Sequence, residues 1–268
     1  MGIVKKLMSL FGSKQEYSVY GEQGGIATTI TLPKNFDTTK DKCPMAILMH
    51  GFMSSKGMYP VPMLAKTLAQ KGIASISFDF NAHGKSEGRF VDMTIANEIA
   101  DARAVLEYVK GLEYVTDIGF VGHSQGGVIA GMLAGELEDS PLKPKCVALL
   151  APAAVLKDDA IAGQCMGSKY DASNPPEYVN VMFHKLGRKF ILAAQKLPIY
   201  EISCKYTGNV CIIHGRKDKI VPTAYAERYH AGYRNSTLHM LEDEGHFLRK
   251  NKEQIAAVVA DFMANNLK

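Results

Sequence analysis

Two periods of apolar residues alternate along most of this chain. Residues 45–49, 74–78, 117–122, 146–150, 210–214 and 237–241 are short, mostly apolar runs. Runs of that length and composition predict strands buried on both faces. Ahead of them, residues 17–20 and 26–32 read as an antiparallel hairpin, because Thr28, Ile30 and Leu32 alternate behind a Gly24-Gly25 turn. Between the runs the apolar residues recur every three or four positions. Residues 62–71 predict a helix closed by Gly72, and Ile95, Ile99, Ala102, Leu106 and Val109 predict a longer one. Val128, Ile129, Met132 and Leu133 mark one side of a helix over 126–137. Ile255, Val258, Val259, Phe262 and Met263 mark a terminal helix, with Asn251 and Gln254 spaced for a capping box at its start. Eight strands with interleaved helices predict an α/β domain, a mostly parallel sheet with helices on both faces.

One segment breaks the rhythm. Residues 152–206 have no β-α-β spacing, and a structureless loop of 55 residues is improbable inside a compact domain. We expect an inserted subdomain there, with the core formed by 17–151 and 207–268. Tyr170, Tyr178, Phe183, Phe190, Tyr200, Met166 and Met182 are expected to build mostly the insert's own small core, two or three of them facing a ligand. Residues 1–16 read as a short amphipathic leader. Lys5 and Lys6 interrupt its apolar part, which is too short for a secretory signal, and Lys6 stands where a myristoylation signal needs Ser or Thr. No run of eighteen apolar residues predicts a membrane span.

Composition narrows the function classes. The net charge is +4 and the Lys and Arg residues are scattered, which argues against a nucleic-acid surface. Five cysteines without a C-x-x-C spacing predict reduced, structural thiols and a cytoplasmic location. No metal-binding set is apparent. Gly84-Lys85-Ser86 imitates the tail of a P-loop, but Asp79 stands where the first glycine is required, and no G-x-G-x-x-G follows a strand. No cofactor is expected.

The candidate chemistry begins at Gly122-His123-Ser124-Gln125-Gly126, a match to G-x-S-x-G. Chance supplies about 0.1 such matches in a chain this rich in glycine, so context must decide. Here a buried run precedes the serine and a helical pattern follows it, as a strand-to-helix nucleophile elbow demands. A serine hydroxyl needs a base. His50 and His214 end strands and His123 adjoins the serine, so these read as packed wall residues, while His83 lies in a loop after a strand. His246 sits in a polar turn between the last strand and the last helix, free to reach over the sheet edge. Asp218, at the carboxyl end of the 210–214 strand, is the acid expected to orient it. Glu242 and Asp243 are rivals, but both are too close in sequence to His246 to reach back to its ring. The order Ser124, Asp218, His246 fits an α/β-hydrolase elbow. The two oxyanion donors are expected from the backbone N–H groups of Gln125 and Phe52, in a narrow hole without a His-Gly-Gly-Gly motif.

These residues resemble the α/β-hydrolase superfamily from about Tyr17 onward. Within it the chain resembles the bacterial cinnamoyl (feruloyl) esterases at His50-Gly51-Phe52, residues 79–86, 122–127, 149–154 and 197–201, and at 214–218. The resemblance implies an α/β-hydrolase fold with an eight-stranded sheet and an inserted lid, and a serine carboxylesterase that takes small aromatic ester substrates. It also implies that Asp159 accepts a hydrogen bond from a phenolic hydroxyl. Met166 and Phe190 occupy lid positions where some relatives carry polar groups, which favours a more apolar ring. The alternatives are a monoacylglycerol or short-chain acyl lipase, less favoured peptidase or thioesterase activity, and a non-catalytic receptor on the same fold. Oligomeric state is left open, a dimer included.

Overall fold

The computed structural model describes Lys6–Leu7 and residues 14–268. The leader read at residues 1–16 therefore falls largely outside the described residues. The chain opens with β1 (Lys6–Leu7), β2 (Lys14–Gly21) and β3 (Gly24–Thr31), then β4 (Cys43–Met49), α1 (Val61–Gln70) and β5 (Ala74–Phe78). A 3-10 turn at Phe90–Asp92 leads into α2 (Ile95–Lys110), β6 (Val115–His123), α3 (Gln125–Glu136) and β7 (Cys146–Leu150). The insert follows. It holds α4 (Val155–Ala162), the hairpins β8 (Gln164–Cys165) with β9 (Ser168–Lys169) and β10 (Tyr178–Val181) with β11 (His184–Gly187), then α5 (Arg188–Gln195) and α6 (Ile199–Ser203). The core resumes with β12 (Asn209–Gly215), α7 (Thr223–Gly232), β13 (Ser236–Leu241) and α8 (Lys252–Asn266).

The main sheet runs β1-β2-β3-β5-β4-β6-β7-β12-β13. Its first three strands are antiparallel and the remaining six are parallel. The eight expected strands are present, and the two-residue β1 adds a ninth at the β2 edge. Gly21 pairs with Gly24, so the hairpin turn falls on Glu22-Gln23, two residues earlier than Gly24-Gly25. Along β4, Met45, Ile47 and Met49 face one apolar layer with α2, α3 and the insert, while Ala46 and Leu48 face another with α1 and α8. That alternation is the pleat itself. It explains why a parallel strand covered on both faces reads as a continuous apolar run.

Three expectations change. Helix α3 is not one-sided: all residues from Gln125 to Gly135 are buried, because β6, β7, α2 and α6 enclose it. Asn251 stands at the start of α8 but makes no side-chain cap. Its backbone N–H and its amide, the latter at 3.1 Å, both donate to Glu244, a buried carboxylate that needs donors more than a helix end beside solvent does. Of the seven residues expected to build the insert's core, four are exposed: Phe183 at 95%, Met182 at 67%, Met166 at 47%, and Tyr178. Tyr170 and Tyr200 are partly buried and Phe190 is buried, and with Val179, Val181, Leu186 and Ile191 they continue the apolar layer of the main domain. A segment this short buries its aliphatic residues against its host more effectively than it encloses a core of its own. Among the described residues no helix is long and apolar enough to cross a membrane.

Candidate active site

Ser124 lies between the end of β6 and the start of α3 at φ 56°, ψ −121°, a conformation that L residues rarely adopt. The surrounding backbone holds it there. Ser124 N–H donates to Leu150 O at 2.8 Å, and its carbonyl accepts from Gly127 at 2.9 Å and Ala153 at 3.0 Å. The flanking glycines are required by space. A Cβ on Gly122 would lie 2.1 Å from Gly126 O, and one on Gly126 would lie 2.4 Å from His50 O. These neighbours are backbone and cannot rotate away. Gly126→Ala is therefore expected to destabilise the fold by about 3 kcal/mol, read as a lower urea midpoint. A variant with the parental midpoint would contradict this account of the elbow.

The structure brings Ser124, His246 and Asp218 together. His246 Nε2 is 2.9 Å from Ser124 Oγ, and its Nδ1 is 2.8 Å from Asp218 Oδ2. A carboxylate at Nδ1 requires N–H there, so Nε2 carries the lone pair toward the hydroxyl. The Asp218 side chain is fully buried. Its Oδ1 accepts from the N–H groups of Ile220 and Val221, both at 2.8 Å. Burial alone would raise this carboxyl, but hydrogen bonds from His214 and His246 hold it well below the usual carboxylate range. The rivals point elsewhere: Glu242 pairs with Arg216 and Asp243 with Lys217 on the surface.

The other strand-end and loop histidines are buried. His50 donates through Nδ1 to Gly51 O at 2.8 Å and accepts from Phe80 N–H at 3.1 Å. Burial and the neighbouring His83 push its pKa down to about 3. His123 donates to His246 O at 3.1 Å, and burial with the nearby His246 lowers it to about 4. His83 is packed between His50 and Phe90. His214 does more than line a wall. Its Nε2 lies 2.9 Å from Val221 O and 3.3 Å from Asp218 Oδ2, so it supports the acid from behind. Its place four residues before Asp218, at a strand end, is the available signal.

A cavity of about 70 Å³ opens beside Ser124, with Phe52, Leu156, Asp159, Met166, Phe190 and Ile220 among its walls. Asp159 Oδ1 accepts from Gln164 Nε2 at 2.8 Å, and Tyr170 O–H donates to Gln164 O at 3.2 Å. These groups make one polar end in an otherwise apolar pocket. Phe190 is buried with its ring centroid 6.1 Å from that of Phe52, and Met166 stands at the exposed rim. Gln125 and Phe52 both border the cavity, and neither backbone N–H has a hydrogen-bond partner among the described residues. A larger groove of about 750 Å³ between Tyr20 and Leu197 contains none of the three relay residues.

The comparisons with known proteins agree with this architecture. The family described as serine aminopeptidase, S33, matches residues 41–169. The structure of Est1E from Butyrivibrio proteoclasticus with ferulic acid bound is similar at a TM-score of 0.87 and 29% identity, over 93% of this chain and 98% of that one. Esterase Pf2001 of Pyrococcus furiosus shares the fold at a TM-score of 0.69 and 21% identity, over 96% and 94% of the two chains. Human ABHD12B is 22% identical over 220 residues, 82% of this chain and 55% of its own length. An uncharacterised 31.7 kDa Escherichia coli protein is 30% identical over 105 residues, 38% of this chain and 35% of its own. The chain thus spans about a third to a half of the length of these curated relatives. Matched over nearly the whole chain at a TM-score of 0.87, the protein has the α/β-hydrolase fold.

Proposed function

We propose that this protein is a serine carboxylesterase for hydroxycinnamate-type esters, with residues 152–206 as its lid. The observation that carries the reading is the continuous hydrogen-bonded path from Ser124 Oγ through His246 to Asp218, at 2.9 and 2.8 Å. Ser124 Oγ attacks the ester carbonyl as His246 Nε2 takes its proton. Asp218 holds the imidazole in the competent tautomer and stabilises the imidazolium. The Phe52 and Gln125 N–H groups receive the charge that develops on the carbonyl oxygen. His246 then returns the proton to the leaving alcohol, and water, activated by the same histidine, releases the acid.

The acyl group occupies the cavity beside Ser124, its ring between Phe190 and Met166. Asp159 keeps one carboxylate oxygen for the phenolic hydroxyl while the other accepts from Gln164. The ferulic acid bound to Est1E supports an aromatic acid as the product class. A second reading, a short-chain or monoacylglycerol lipase, is favoured by the apolar walls at Leu156 and Ile220. A peptidase reading is favoured by the match to the family described as serine aminopeptidase and by the Asp159 carboxylate in the cavity wall.

The test compares kcat/KM for methyl ferulate, methyl cinnamate, 4-nitrophenyl butyrate, a monoacylglycerol and an aminoacyl 4-nitroanilide. Methyl ferulate should lead. Asp159→Asn should raise KM for methyl ferulate about tenfold and leave methyl cinnamate, which lacks the hydroxyl, within about twofold. Equal effects on both esters would remove Asp159 from the binding site. Preference for the glyceride or the anilide would replace the substrate assignment.

A further inference from the structure

Ser124 is followed by a buried polar pair that the reaction scheme leaves unused. Gln125 is the first residue of α3 and is 3% exposed, and its side-chain amide donates to Glu98 Oε2 at 2.6 Å. Glu98 lies in the first turn of α2 and is itself 1% exposed. Its other oxygen has no hydrogen-bond partner among the described residues, the nearest cationic candidate being His83 Nδ1 at 3.9 Å. That His83 nitrogen is already 3.2 Å from Asn81 O. For stability alone this arrangement is poor, because an apolar side chain of similar volume would remove the unpaired oxygen. A destabilising polar group retained beside a reactive centre points to a role there.

The geometry indicates the role. The Ser124 carbonyl is fixed by Gly127, Val128 and Ala153, and the Ser124 N–H by Leu150. The Gln125 side chain, in contrast, is fastened by Glu98, with only a long 3.9 Å approach to Met93 Sδ besides. Resting on the reading of Ser124 as nucleophile, we infer that Glu98 is a positioning residue: it tethers the Gln125 side chain and so aims the Gln125 backbone N–H at the oxyanion. Burial and the nearby Asp101 push the Glu98 carboxyl well above its usual range, against the smaller effect of the Gln125 hydrogen bond.

Glu98→Leu fills the space and cuts the tether. Its kcat should fall about tenfold, with KM within about twofold and the Tm retained. Affinity for an aryl trifluoromethyl ketone, which carries an oxyanion once Ser124 adds to it, should fall by a similar factor. Glu98→Gln keeps an acceptor for the Gln125 amide and should stay within about threefold of the parent. Gln125→Met, which keeps the backbone N–H, should show the same loss as Glu98→Leu, and the double variant no further loss. Should Glu98→Leu fail to fold, Gln125→Met and Glu98→Gln carry the same comparison. A folded Glu98→Leu or Gln125→Met with parental kcat and ketone affinity would overturn the inference. So would a Glu98→Gln as impaired as Glu98→Leu. A parent protein that neither hydrolyses esters nor is labelled at Ser124 by a fluorophosphonate would instead refute the underlying reading.

Discussion

Ser124→Ala is expected to lower kcat for methyl ferulate by about 10⁴-fold or more while leaving the melting temperature within a few degrees. The size follows from what the hydroxyl does. Among the described residues its side-chain partner is His246 Nε2 at 2.9 Å, so removing it leaves no other buried group unpaired within the fold. The elbow itself is held by backbone bonds to Leu150, Gly127 and Ala153, none of which needs the side chain. Turnover and circular-dichroism melting on one preparation check both halves. Turnover near the parental rate would remove Ser124 from the chemistry. A collapsed melt would mean that the side chain also holds the strained turn.

Asp218→Asn should have the second largest effect, about 10³- to 10⁴-fold on kcat with little change in KM. The substituted amide still accepts through its oxygen from the N–H groups of Ile220 and Val221, so the loop keeps its shape. Its NH₂ group, facing His246, would force Nδ1 to accept, moving the ring proton to Nε2, where it blocks removal of the Ser124 proton. The pH profile adds a check. Because its hydrogen bonds keep Asp218 well below the ordinary range despite burial, the group is ionised throughout an assay above pH 5. Loss of activity on acidification over that range therefore belongs to a group other than Asp218. An Asp218→Asn variant that regained the parental rate at any pH in that range would contradict the tautomer argument.

Local pattern makes part of this site readable. Ser124 announces itself through glycines at which a Cβ would lie only 2.1–2.4 Å from a backbone oxygen, and such close crossings leave a mark on adjacent residues. Asp218 and His246 are legible from their places after the 210–214 and 237–241 strands, because a parallel sheet collects its loops along one edge. His214 reads as a wall residue, and its bond to the acid appears only when the 218–221 turn folds back over it. Glu98 stands three residues after Ile95 and four before Ala102, beside the apolar stripe of α2, so an acid facing the core is legible from the spacing. Its partner is not, because only the packing of α2 on α3 sets it against Gln125.

The insert shows the same division. Its expected boundaries rest on the broken β-α rhythm. The expectation of burial fails at Phe183 and Met182, because hydrophobicity alone does not say which side of a short hairpin faces the domain. Asn251 has the right spacing for a cap but bonds to Glu244, which folds beside it from a separate turn.

The class of sheet, the candidate nucleophile and the chain order of its partners can be read from the residue string, since they depend on periodicity and on residues adjacent in the chain. Which carboxylate meets His246, what stands behind Asp218 and Gln125, and which insert residues border the cavity emerge only in the folded molecule. Those outcomes turn on distances of about 3 Å between segments dozens of residues apart, set by the packing of whole helices and strands.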